Sequence, residues 1–116
     1  MGCIIMIRRH HFRTASNLPG KISFDNIKEA ACLVVDLSHG GTKFATSLSL
    51  EKDKDIVVDI SLLNKKASLP GKVIWTKPHP ANKDLYIAGI RFNGLNVELK
   101  DFLHKAISNL SQMQMI

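Results

Sequence analysis

Two short constellations carry residue types suited to holding an anionic, hydrogen-bonding ligand. Arg9-His10-His11-Phe12-Arg13 sets two guanidiniums four residues apart. That spacing turns both to one side whether the chain is extended or helical. Paired guanidiniums fit phosphates, or the O6/N7 edge of guanine, in a bidentate way. The second constellation is Val34-Val35-Asp36-Leu37-Ser38-His39-Gly40-Gly41. In strand geometry Leu33, Val35 and Leu37 are expected on one face, with Val34, Asp36 and Ser38 on the other. A carboxylate and a hydroxyl would then stand together at a strand end, beside backbone that glycine bends freely. Taken alone, the segment reads as an Asx- or Ser-capped turn, and the arginine spacing as a feature of any basic arm.

Other chemistry finds no support. His10, His11 and His39 make no HxH or HxxxH pattern, and adjacent histidines of an extended chain point apart, so no metal site is expected. There is no recognisable Ser–His–Asp, Cys–His or paired-carboxylate set, and no glycine-rich phosphate loop. An enzyme is therefore not expected, nor a cofactor. Trp75, Tyr86 and Phe92 read as core or barrel-rim residues.

The elements that must position these groups are mostly strands. Ile22 and Phe24 alternate before an Asp25-Asn26 turn, and Ile27–Leu37 makes a long second strand. Thr42–Leu50 follows, with Phe44, Leu48 and Leu50 on one face. Glu51–Asp55 is a charged connection. Ile56, Val58, Ile60 and Leu62 alternate cleanly with Val57, Asp59 and Ser61. After a turn at Asn64-Lys65-Lys66, strands are expected over Leu69–Trp75 and Leu85–Phe92, separated by the Pro78–Asp84 loop. About six short strands without crossover helices argue for an all-β fold, a small antiparallel barrel or sandwich. Leu99, Phe102, Leu103, Ala106, Ile107 and Leu110 then fall at helical spacing, with Asn96 as N-cap. That helix must cover a barrel mouth or a sheet face.

With 116 residues, the chain is sized for one domain. It divides into a basic arm over 1–13, a barrel over 18–92 and a helix over 96–111. The net charge of +6 favours an anionic partner without naming it. Cys3 and Cys32 read as free thiols of a reducing cytosol. No signal peptide or membrane-length apolar run is recognised, so a cytoplasmic location without membrane insertion is expected.

Taken together, Arg9-x-x-x-Arg13 and Asp36-x-Ser38-x-x-Gly41 resemble the PilZ domain family, a bacterial receptor module for cyclic di-GMP. Gly71-Lys72-Val73-Ile74-Trp75 is similar to that family's small-x-apolar-apolar-Trp strand. Ala88-Gly89-Ile90-Arg91-Phe92 is similar to its Gly-apolar-Arg-Phe strand, and a terminal helix follows in both. The resemblance spans about Arg8 to Leu110. It implies a small antiparallel β-barrel of about six strands with one C-terminal helix, binding cyclic di-GMP through Arg9, Arg13, Asp36, Ser38 and Gly41. Arg8 is a further contact that would admit a second, intercalated ligand. By this resemblance the arm orders over the ligand and presents a changed surface to a separate downstream protein, the domain being a monomer or a ligand-linked dimer. Two rivals remain: a PilZ-like docking scaffold without ligand, and a basic barrel for single-stranded nucleic acid. The second is disfavoured because the basic residues gather in the arm rather than among strand aromatics, so no nucleic acid is expected.

Overall fold

A computed structural model describes residues 14–25, 28–62 and 64–114. Six antiparallel strands run as β1 (Thr14–Phe24), β2 (Lys28–Leu37), β3 (Gly41–Thr46), β4 (Asp55–Leu62), β5 (Lys65–Pro78) and β6 (Tyr86–Phe92), followed by helix α1 (Val97–Gln114). They close into a barrel in the order β1-β2-β3-β6-β5-β4. Closure gives every strand a neighbour on both sides, which reduces the aggregation hazard of an open sheet.

The inward residues are those of the period-2 pattern. Ile56, Val58 and Ile60 of β4 are all but fully buried, as are Ala88 and Ile90 of β6 and Phe44 of β3. Helix α1 plugs this core with Leu103, Ala106, Ile107 and Leu110, spaced three and four apart on one stripe. Removing each of the Leu and Ile side chains among them from water contributes about 1.5–3 kcal/mol. The helix begins as expected at Asn96, whose Oδ1 accepts the Leu99 N–H at 2.8 Å. No helix among the described residues is long and apolar enough to cross a membrane.

Three expectations need correction. Strand β3 stops at Thr46, four residues before Leu50. The Thr46 hydroxyl donates to the Ala31 carbonyl at 3.1 Å and accepts the Leu48 N–H at 3.4 Å, bending the chain out of the ladder. Leu50 still turns into the core, but from irregular backbone. Lys65 and Lys66 are not turn residues: they pair with Leu62 and Ser61 as the start of β5, and Asn64 before them takes a left-handed φ of 61°. The third correction concerns β2. Strict alternation would group Leu33 with Leu37, yet Leu33 is 41% exposed while Val34 and Leu37 are fully buried. A bulge is responsible: Val34 pairs with Phe44 but Asp36 with Lys43, so one extra residue shifts the phase.

Cys32 lies in the core, 8% exposed. Burial pushes its thiol up from 9.0 to about 11, and the Asp59 carboxylate adds to the rise. The unfolded chain therefore loses this proton near pH 9, whereas the folded one holds it to about 11. Stability from this group is intact below pH 9 and falls as pH rises to about 11, by on the order of 2 kcal/mol. Urea unfolding at pH 8 and pH 10.5 should show a steeper loss in the native sequence than in Cys32→Ala; equal losses would contradict the assignment.

Candidate functional site

The β2 bulge decides where the carboxylate points. Because Val35 is extra, Asp36 lies opposite Lys43 on the outer wall, and Leu37 takes the inward position. The Asp36 side chain is only 13% exposed, and Lys43 Nζ lies 3.6 Å from its Oδ2. The Asp36 carbonyl is held as well, accepting the Thr42 hydroxyl at 2.6 Å.

The turn that follows is stapled by Ser38, which is 2% exposed. Its hydroxyl donates to the Gly41 carbonyl at 3.1 Å. It also accepts the N–H groups of Gly40 at 3.3 Å and Gly41 at 3.1 Å. The Ser38 N–H donates to the same Gly41 carbonyl at 2.9 Å. The single hydroxyl proton is thus directed into the turn, which fixes the backbone carrying Asp36. Gly41 is required for a different reason. It pairs with Arg91 of β6, and a Cβ there would lie 2.1 Å from the Ile90 carbonyl oxygen. The Phe92 N–H donating to the Gly40 carbonyl at 2.9 Å ties the turn to the same strand.

Neighbouring residues extend the outer wall. Register runs from Asp36 to Lys43, then to Gly89 and Trp75. The Trp75 indole covers Gly89, where a Cβ would lie 2.2 Å from its Nε1, and Lys77 Nζ sits 5.6 Å from the ring centroid. His39, exposed in the turn, meets His104 of α1 with ring centroids 5.8 Å apart. Reading the sequence alone missed Lys43, Thr42 and the Gly89–Trp75 contact. The Gly40-Gly41 turn hinted at a return strand, but a pairing displaced by a bulge leaves no periodic signal.

Arg8, Arg9 and Arg13 lie outside the described residues. The register nevertheless fixes where the described chain begins: Thr14 pairs with Leu37 and Ala15 with Asp36. Thr14, the residue after Arg13 in sequence, thus begins β1 directly beside the Asp36 turn. Elsewhere a surface depression lined by Phe24, Asp25, Glu29, Lys54, Pro70 and Asn93 includes neither Asp36, Ser38 nor Gly41. The Lys54 ammonium is engaged there, 3.0 Å from Asp25 and over the Phe24 ring. No group of three or more His, Cys, Asp or Glu side chains among the described residues could hold a metal ion.

A closed six-stranded barrel, plugged by a C-terminal helix and carrying an Asp-x-Ser-x-x-Gly turn on its wall, defines a recognisable class of small β-barrel domains. The PilZ domain family model matches residues 7–109, and the chain belongs to that family. Among solved structures, the PilZ domain of YcgR from Escherichia coli, with c-di-GMP, superposes with a TM-score of 0.76 at 15% identity, covering 92% of this chain and 94% of that one. The inhibitor of motility MotI (DgrA) of Bacillus subtilis gives 0.75 at 17% identity, over 93% of this chain and 52% of that one. The MrkH–c-di-GMP complex of K. pneumonia gives 0.77 at 15%, over 93% and 54%. The chain therefore spans about half the length of MotI and MrkH. At these identities the likeness is one of fold. A search of curated protein sequences found no match.

Proposed function

We propose that this chain is a cyclic di-GMP receptor domain that acts by binding rather than by catalysis. The observation that supports the reading is the β1–β2 register, in which Thr14, the residue after Arg13 in sequence, pairs with Leu37 and Ala15 pairs with the outward-facing Asp36. Cyclic di-GMP offers two anionic phosphodiesters and two guanines. Asp36 accepts from the N1–H and N2–H₂ donors of a guanine, while Arg9 and Arg13 engage phosphates and the O6/N7 edge. Ser38 and Gly41 serve by holding the turn against β6. Family membership and the neighbours solved with c-di-GMP support the same ligand.

In this reading ligand binding orders the arm from Arg8 to Arg13 against the barrel, and the altered surface is read by a separate cytoplasmic protein. Arg8 stacks on or bonds to a second guanine, so that two nucleotides bind as an intercalated pair. The test is calorimetric titration of cyclic di-GMP into the native protein and into Arg9→Ala and Arg13→Ala. Binding that weakens roughly 5- to 150-fold in either variant is expected, the range corresponding to one lost bidentate contact. Absence of heat with the native protein would refute the ligand. A stoichiometry of one nucleotide per protomer would refute the role given to Arg8, and equal competition by GMP or an unrelated oligonucleotide would favour a nonspecific basic barrel.

A further inference from the structure

Resting on the reading of cyclic di-GMP as ligand, we propose that Lys43 is a phosphate-binding residue of this site: a cation fixed on the barrel wall beside the guanine-reading carboxylate. Three observations lead to it. First, the pairing of Asp36 with Lys43 across the bulge puts carboxylate and ammonium next to one another on the outer wall. Second, this ion pair differs from the other lysine–carboxylate pairs among the described residues. Its carboxylate is 13% exposed, whereas the acidic partners of Lys21, Lys54, Lys72 and Lys105 are 57–82% exposed. Exposed pairs of that kind have little net effect, but a charge partly withdrawn from water needs a counter-charge. Third, the separation of 3.6 Å exceeds the 2.7–2.9 Å of a charge-assisted hydrogen bond. Lys43 thus faces Asp36 through space, and its ammonium carries N–H donors for which an incoming phosphate is an acceptor, on a side chain 40% exposed.

The ligand makes that acceptor necessary. A guanine seated on Asp36 brings its own phosphodiester close to a carboxylate, and two like charges at short range oppose binding. An ammonium between them attracts both. Gly89, the residue facing Lys43 on β6, has no side chain of its own, and the Trp75 indole lies over it. The arginines come from the chain before β1, whereas Lys43 is anchored in the middle of a paired strand.

The experiment is titration of cyclic di-GMP into the native protein, Lys43→Ala and Lys43→Arg at 50 and 500 mM NaCl, with ³¹P NMR of the bound nucleotide. Lys43→Ala should bind about 5- to 10-fold more weakly at low salt, with the gap narrowing at high salt as the contact is screened. Lys43→Arg should stay within about threefold of native because it keeps the charge, and the bound ³¹P resonance should move in Lys43→Ala. Thermal melting of the unliganded proteins separates these effects from misfolding. Native binding with unchanged Lys43→Ala affinity or an unmoved ³¹P resonance overturns the role of Lys43 alone. Tighter binding by Lys43→Ala also overturns it, since the lysine would then compete with ligand for Asp36. Absence of native binding overturns this inference together with the proposed ligand.

Discussion

Asp36→Ala is expected to weaken cyclic di-GMP binding roughly 5- to 150-fold, the range for losing one bidentate contact to a base. The carboxylate is the acceptor that matches the paired N1–H and N2–H₂ donors of guanine. Without it those donors would be removed from water with no partner, which adds to the loss. Asp36→Asn should fall between, because an amide keeps one acceptor oxygen but replaces the other with a donor. Neither change should disturb the barrel. Asp36 lies on the outer wall, and the Thr42 hydroxyl bonds to its backbone carbonyl, which both variants retain. Calorimetric titration with parallel melting curves checks both parts. Native-like affinity in Asp36→Ala would remove guanine recognition from this residue, whatever the rest of the fold does.

The largest stability effect at the site should come from Gly41→Ala, at about 3 kcal/mol, the upper end for overpacking a filled space. The added Cβ would lie 2.1 Å from the Ile90 carbonyl oxygen and 3.4 Å from the Arg91 Cα. Both belong to backbone paired in the β3–β6 ladder, so relief requires moving a strand. The same shift would loosen the Ser38 staple, which takes the Gly41 N–H and gives its proton to the Gly41 carbonyl. Binding should therefore weaken along with stability. Gly94 is the internal comparison: a Cβ there meets nothing within 4 Å, and only its φ of +66° resists a side chain. Gly94→Ala should cost about 1 kcal/mol. Urea unfolding of the two variants tests the distinction, and equal losses would show that φ rather than strand contact governs Gly41.

That contrast bears on what was legible beforehand. The glycines after Ser38 looked like a turn needing conformational freedom, and the turn is there. What Gly41 in fact accommodates is the Ile90 carbonyl of β6, about 50 residues away in sequence. Contacts at that separation leave no local trace, because a residue type reports its own backbone preference far better than the identity of its neighbour across a barrel.

By itself the sequence determined the number and order of the strands, the apolar faces of β4 and β6, the Asn96 cap and the stripe of α1. These follow from short-range rules: period 2 for strands, 3.6 for helices, and local hydrogen bonds at caps and turns. It also held the family resemblance, since the motif residues Asp36, Ser38 and Gly41 are contiguous enough to be read as text. The tertiary structure decided the rest. Closure of β1 onto β4 and the crossing from β3 to β6 arise because inward faces must share one core and edges must be paired. The bulge at Val35 put Asp36 outside and Leu37 inside, a phase change that only the pairing with β3 could impose. That pairing also supplied Lys43, the neighbour of Asp36 that no spacing in the sequence announced.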